Sequence, residues 1–153
     1  SIKNKSHSIT AQLVVPDKGA EGVIIAQGAN IGGWSLYAKG GKLKYCYNWG
    51  GFKHFMVEAT TPIPAGDHQV RMEFAYDAGG GLGKGGTGTL FVNDRKVAEG
   101  RIERTQPMMF SADETADVGI DLGTPVVEAI GAEHKSKFTG TIAKVTVAVK
   151  DVK

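Results

Sequence analysis

The chain has 153 residues, of which 41% are hydrophobic and 22% charged, and its formal net charge is +2; these values are typical of one globular domain with a core of its own. Lysines and arginines are spread among acids, so the sequence has no concentrated basic surface for a nucleic acid, and no apolar run approaches the roughly 18 residues of a membrane span. The single cysteine, Cys46, excludes an internal disulfide and a zinc site built from several cysteines.

Short β-rich runs separated by turn residues recur along the chain and predict about ten strands. In chain order these runs are 7–15, 22–27, 34–39, 42–48, 54–59, 68–76, 87–93, 95–103, 117–121 and 138–149. Helical periodicity is weak, and only 124–134 is compatible with one short helical turn. Together with 22 glycines, this pattern predicts an all-β protein built as an antiparallel β-sandwich or barrel.

Two local patterns refine this prediction. The run 22–27 is apolar without alternation, which is typical of a strand buried on both faces. Gly40-Gly41 and Asn93-Asp94 stand between consecutive runs and are signals of two-residue hairpin turns. Cys46 lies in the middle of a predicted strand, where we expect it to pack as a small apolar residue.

The glycine-rich stretch "DAGGGLGKGG", residues 77–86, contains the G-x-G-x-x-G spacing of dinucleotide-binding loops at Gly81, Gly83 and Gly86. Such glycines bind a pyrophosphate only when they follow a strand and open a helix. The sequence after Gly86 is β-rich instead, so we interpret the stretch as a long hairpin loop. A phosphate-loop motif fails as well, because Gly85 follows Lys84 where Ser or Thr is required. Lys84 is nevertheless placed to reach an anionic partner.

An acidic cluster lies in "SADETADVGID" and comprises Asp113, Glu114, Asp117 and Asp121. Calcium binds several oxygen ligands, often carboxylates, so the cluster is a candidate Ca²⁺ site. The spacing does not match an EF-hand loop. The alternative is a solvated loop whose Asp and Ser residues form turns.

Aromatic residues are concentrated at Trp34, Tyr45, Tyr47 and Trp49. In a chain with 8% aromatic residues, alternating Trp and Tyr more often belong to the core than to a binding surface. Trp49 is followed by two glycines, so it is the member most expected at the surface. With Tyr37 and the neighbouring loops, Trp49 is a candidate contact for a sugar ring, because aromatic side chains are amphipathic.

The order of the motifs resembles a known family. "GGWSLYAKGGKLKYCYN", "PIPAGDHQVRMEFAYD", "GTLFVNDRKVAEGRI" and "FTGTIAKVTV" resemble a laminin-G or concanavalin A-like jelly roll. More specifically, "GVIIAQGANIGGWSLYAKGGKLKYCYN", "HQVRMEFAYDAGGGLGKGGTGTLFVND" and "ERTQPMMFSADETADVGIDLGTPV" are similar to the C-terminal domain of bacterial arylsulfatases. The similarity runs from about Gly22 to Val147, and it departs at 49–59 and 126–138, which look like variable loops.

The resemblance implies a two-sheet antiparallel jelly roll over 1–153 that is not itself catalytic. Sulfatase chemistry needs a formylglycine made within a C/S-x-P-x-R motif, and Cys46 is not followed by that pattern. The implied role is an accessory domain that packs on the catalytic domain of the same parent chain, lines its substrate cleft or supports a homodimer, in the periplasm or outside the cell. Gly81, Lys84 and Ser111 belong to strings characteristic of this domain and are the first candidates for contact with that partner or ligand.

Two further function classes remain open. A free-standing carbohydrate-binding module of the same fold would use Trp49, Tyr37 and the loops. A glycosidase or lyase would need carboxylates on one concave sheet face. The predicted strands carry few carboxylates, which are Glu58, Glu73, Glu99 and Glu103.

Overall fold

The computed structural model describes residues 6–29, 32–49, 53–77, 84–104, 117–118 and 137–149. These residues form ten β-strands, with the bounds β1 His7–Val15, β2 Gly22–Ala29, β3 Gly32–Lys39, β4 Lys42–Trp49, β5 Lys53–Pro62, β6 Gly66–Tyr76, β7 Lys84–Val92, β8 Arg95–Arg104, β9 Asp117–Val118 and β10 Thr141–Val149. The predicted strands are therefore confirmed within the described residues, with ends that differ by a few residues, and 119–121 of the ninth predicted strand lie outside them. The variable loop expected over 49–59 is wrong from Lys53 onwards, because β5 occupies that part. The helical turn expected over 124–134 lies outside the described residues.

The strands form two antiparallel sheets. The first sheet has the order β10-β1-β6-β7-β8, and the second has the order β5-β4-β3-β2-β9. Strand β5 packs across β8 and β7, so the two sheets lie face to face. The predicted two-sheet antiparallel β-sandwich is confirmed. Within the described ranges, no helix has the length and apolar character that crossing a membrane requires.

The core lies between the sheets and follows the period of two that a pleated strand imposes. In β1, for example, Ile9 and Leu13 point into the core and are buried, whereas Gln12 points to the opposite face and is exposed. In β6, Met72 and Phe74 enter the same core cluster. Each fully buried side chain of this size contributes roughly 1.5–3 kcal/mol relative to leaving it in water.

The second sheet is buried on part of its outer face as well, along β2, β3 and β4. Val23, Ala26, Tyr37 and Cys46 form a separate buried cluster there, which confirms that the run 22–27 belongs to a strand covered on both sides. Cys46 is inaccessible, as expected for a small packing residue. Its burial raises the pKa of the thiol to about 12, with a smaller contribution from the charge of Glu58.

The glycine-rich stretch joins two strands of one hairpin, since β6 and β7 pair antiparallel from Val70 with Val92 to Tyr76 with Gly86. Its last glycines are required by close packing. A Cβ atom on Gly86 would contact the carbonyl oxygen of Ala75 and would lie 2.5 Å from the ring of Phe74. Because β7 follows the glycines directly, they open no helix that would bind a pyrophosphate.

Both predicted two-residue turns are present. Asn93 and Asp94 have φ of 50° and 65°, and Gly40 and Gly41 have φ of 61° and 74°. Two consecutive residues with positive φ are the signature of the hairpin turns that match strand twist. These turns connect β7 with β8 and β3 with β4.

Candidate functional site

The outer face of the first sheet carries an open cleft with a volume of about 460 Å³. It is bounded by β10, β1, β6, β7 and β8 near the ends of these strands that adjoin the glycine-rich connection. The residues that line this outer cleft are Ser6, His7, Ser8, Glu73, Phe74, Ala75, Thr87, Thr89, Glu99, Ala148 and Val149. Polar side chains predominate among those that point away from the core.

The register of the strands explains the floor of the outer cleft. Residues directly opposite each other on antiparallel strands project to the same face. Ser8 lies opposite Glu73, Glu73 opposite Thr89, and Thr89 opposite Glu99, so one polar row crosses four strands. The next row pairs Ala75 with Thr87. The side chains of Ala75, Thr87 and Thr89 are small and leave space above the sheet.

A bulkier row bounds the cleft on one side and contains Arg71 and Phe91, which are opposite each other. The Arg71 guanidinium lies over the Phe91 ring at 4.2 Å from its centroid. Arg71 Nη1 donates to Asp94 Oδ1 at 2.5 Å, and Arg71 Nε donates to Glu73 Oε2 at 3.1 Å. The hydrogen bond with Asp94 is the main reason that the pKa of Arg71 is raised, and Glu73 adds to it. This network holds the Glu73 carboxylate in position on the cleft floor, on the side nearest Arg71.

The other charged groups beside the cleft are also paired. Lys96 Nζ lies 3.4 Å from Glu99 Oε2. Arg101, which stands opposite Thr87, donates to both carboxylate oxygens of Asp77 at 2.9 Å. That bidentate contact lowers the pKa of Asp77 below its ordinary value of 3.8. Among the described residues, Glu73 is thus paired with Arg71, Glu99 with Lys96 and Asp77 with Arg101.

Backbone N–H groups donate the hydrogen bonds that connect the strands at the end of the cleft next to the glycine-rich connection. The Tyr76 N–H donates to Ser6 Oγ at 2.9 Å, and the Lys84 N–H donates to the Tyr76 hydroxyl at 3.0 Å. The Asp77 N–H donates to the Gly85 carbonyl oxygen at 3.0 Å. These bonds give β6 and β7 a defined end although glycines connect them.

None of the candidate contact or metal residues predicted from the sequence is among the described residues that line the outer cleft. Tyr37 is buried on the second sheet, where burial raises its pKa well above the ordinary value, so its ring does not present a face for stacking. Trp49 ends β4 opposite Lys53, and Asp117 pairs with Ala26 at the start of β9. Lys84 begins β7 and is half-buried.

The other selected residues lie outside the described residues, and they are Gly81, Ser111, Asp113, Glu114 and Asp121. In the parts of the chain that the structure describes, no group of three or more His, Cys, Asp or Glu side chains is arranged to hold a metal ion. The calcium site therefore stays a prediction.

The cleft residues themselves were not singled out as a site from the sequence. The sequence pattern includes Glu73 and Glu99 only among the strand carboxylates, and it gives no signal for Ser8, Thr87 or Thr89 as site residues. The alternation of β6 and β7 places Glu73 and Thr89 on non-core faces, which is a usable signal. Their meeting in one row depends on a register that alternation alone does not determine.

No protein-family model matches the sequence, and no curated protein matches it either. Solved structures do match. CBM40, a carbohydrate-binding module of a Ruminococcus gnavus IT-sialidase, has a TM-score of 0.65 and 15% identity over 99% of this chain and 79% of that chain. The same module bound to alpha2,3 sialyllactose has a TM-score of 0.62 and 14% identity over 95% of this chain and 77% of that chain.

A native heptameric SAP-like pentraxin from Limulus polyphemus has a TM-score of 0.57 and 14% identity, over 95% of this chain. This chain spans 65% of the length of that pentraxin chain. At such low identity the similarities show the fold, which is a concanavalin A-like jelly roll, as the sequence predicted.

Proposed function

We propose that the chain is a carbohydrate-binding domain that binds a saccharide in the outer cleft of the first sheet. The observation that carries the proposal is the polar row formed by Ser8, Glu73, Thr89 and Glu99 on the floor of an open cleft. Ligand sites in proteins typically occupy about 300–1,000 Å³, and the outer cleft lies within that range.

The chemistry of the row suits a sugar. Saccharides present many hydroxyl groups, each of which donates and accepts a hydrogen bond. The carboxylates of Glu73 and Glu99 accept such bonds, and the hydroxyls of Ser8 and Thr89 both donate and accept. Hydrogen bonds to a charged partner are worth about twice a neutral bond. The pairing of Glu73 with Arg71 fixes the acceptor before the ligand arrives, which reduces the entropy lost on binding.

The similar structures support the same interpretation. CBM40 is named for carbohydrate binding, and one of its structures contains alpha2,3 sialyllactose. The resemblance in fold favours binding over catalysis for these 153 residues. The choice of ligand rests on the cleft of this chain, because similarity at 14–15% identity extends to the fold alone.

A glycan array followed by isothermal titration calorimetry with the best saccharide tests the proposal. Glu73→Gln removes one charged acceptor, and a hydrogen bond to a charged group contributes about 1.5–3 kcal/mol, so we expect at least roughly a tenfold loss of affinity. Glu58→Gln is the matched control. Glu58 stands on the second sheet, is paired with Lys44, and has a side chain 48% exposed, against 46% for Glu73.

Equal effects of the two substitutions would contradict the site, and an array without any binding would contradict the function. Turnover of the bound saccharide that is lost in Glu73→Gln would instead point to the glycosidase alternative.

A second candidate is the accessory domain of a sulfatase, which the resemblance of the sequence implies. The structural feature that favours it is the edge strand β10, where Val147 and Val149 remain 43% and 39% exposed. These valines lie opposite Ile9 and His7 of β1, so they continue the core-facing side of the sheet. Apolar side chains at such an edge are suited to contact with a further domain.

The reading frame upstream of Ser1 in the native gene tests this candidate directly. A frame that encodes a C/S-x-P-x-R motif in an α/β domain supports a parent sulfatase. Val147→Lys is then expected to weaken co-purification with that catalytic domain, whereas Thr146→Lys, on the opposite face of β10, is not. A frame without such a domain would rule the accessory role out.

A further inference from the structure

We propose that the outer cleft selects saccharides without anionic groups, neutral or amino sugars, and discriminates against carboxylated and sulfated ones. The inference rests on the proposed carbohydrate-binding function. It concerns which ligand charge the cleft prefers, and that preference follows from the positions of the carboxylates and cations of this chain.

The carboxylates stand on either side of the cleft floor. Glu73 and Glu99 are both neighbours of Thr89 in the same row, one on each adjacent strand. Adjacent strands are about 4.7–4.9 Å apart, so the backbone positions of the two glutamates are separated by roughly 10 Å. A saccharide seated over Thr89 therefore lies between two carboxylates. Hydroxyl or ammonium groups of the ligand can donate to both of them.

Three cations beside this row in the described part of the chain are already engaged. Arg71 is held between Glu73, Asp94 and the ring of Phe91. Lys96 is paired with Glu99, and Arg101 is held by both oxygens of Asp77. An anionic ligand would have to take one of these cations from its carboxylate, and the released carboxylate would then repel the ligand. A neutral ligand leaves every pair intact.

This selectivity is opposite to what the similarity to CBM40 or the resemblance to sulfatase domains would suggest. The CBM40 structure contains a sialylated, and hence carboxylated, ligand. The sulfatase resemblance implies a sulfated one. The positions of the charges in the outer cleft favour neither a carboxylated nor a sulfated ligand. The expected ligand therefore differs from the one that transfer of function from either relative would predict.

The test uses the full chain, because Lys3, Lys5, Lys150 and Lys153 precede β1 or follow β10 in the sequence. The positive charge of these lysines contributes to the electrostatic potential that a charged ligand meets. The probe is an array of matched saccharides in neutral, amino, sulfated and carboxylated forms, including lactose, 3′-sulfated lactose and alpha2,3 sialyllactose. Titration calorimetry at low and high salt then measures the best neutral or amino probe and its anionic counterpart. We expect the neutral or amino form to bind about tenfold more tightly at low salt, and high salt to reduce that ratio through screening.

The variant Glu99→Gln separates charge repulsion from shape. It keeps the size of the side chain and removes one negative charge, so the affinity ratio of neutral to anionic probe is expected to fall several-fold. Glu58→Gln, on the other sheet, is expected to leave the ratio unchanged. Tighter binding of an anionic form, or a ratio that Glu99→Gln does not move, would overturn the selectivity while leaving the carbohydrate-binding function in place. An array without binding to any form would overturn both.

Discussion

Replacing Gly86 with alanine tests whether the glycines at the start of β7 are required for packing between strands. A Cβ atom at this position would contact the carbonyl oxygen of Ala75 and lie 2.5 Å from Cζ of Phe74. Phe74 is only 4% exposed, so its ring has little room to move aside. Gly88 in the same strand is the matched control. Its added Cβ would meet Val57 Cγ2 at 3.2 Å, a methyl group that can shift slightly.

The expected magnitude follows from two opposing contributions. Alanine in a strand interior is favoured over glycine by roughly 0.5–1 kcal/mol, because the unfolded chain has less freedom to lose. Overpacking in a tight core costs typically about 1–3 kcal/mol. At Gly86 the neighbouring atoms are backbone and a buried ring, so the cost lies at the upper end and the net loss is about 2 kcal/mol. At Gly88 the two contributions nearly cancel, and we expect a change within about 0.5 kcal/mol.

Urea unfolding monitored by fluorescence and circular dichroism measures both variants. A loss of about 2 kcal/mol lowers the melting temperature of a domain of this size by roughly 4–8 °C. If Gly86→Ala does not fold, the double variant with Phe74→Leu tests the same contact, because removal of the ring should restore part of the stability. Equal stability of Gly86→Ala and Gly88→Ala would refute the packing argument.

Three further predictions concern stability and reactivity. The pKa of Asp77 is lowered in the folded state, so its pairing with Arg101 stabilises the protein above pH 3.8, and this stabilisation is lost as the pH falls through the lowered pKa. The difference in unfolding free energy between the wild type and Asp77→Asn should therefore shrink on acidification. A constant difference would argue against the pairing. Cys46 should resist a thiol reagent at pH 8 until the chain is unfolded, because it is buried and its pKa is about 12; rapid labelling of the native protein would contradict its burial. Asp94→Val should lower the free energy of unfolding by about 1–2 kcal/mol more than Asp94→Gly, since φ at this position is 65° and a β-branched residue is strained there; a thermal melt of both variants measures the difference.

The cleft could be predicted only in part. Alternation in β6 and β7 places Arg71, Glu73 and Thr89 away from the core, and that much is readable from polar and apolar positions. The aromatic residues show the limit of this reasoning. Trp34 and Tyr37 lie on opposite faces of β3, and both are buried, because the outer face of the second sheet is covered at this strand as well. A sequence pattern reports polarity, and it does not report whether another layer covers a face.

The sequence by itself determined the strands, their turns and the all-β class, because side-chain alternation, apolar runs and pairs of residues suited to positive φ are local properties. The hairpin turns predict that β3 lies beside β4 and β7 beside β8, whereas only the tertiary structure decided which strands distant in the chain are neighbours. It places β1 between β10 and β6, and so aligns Ser8 with Glu73, a residue far along the chain, and with Ala148 near its end. Pairing between distant strands depends on the packing of whole sheets, and a slip of one residue would turn Glu73 and Glu99 towards the core. The polar row of the outer cleft is therefore a property of the register.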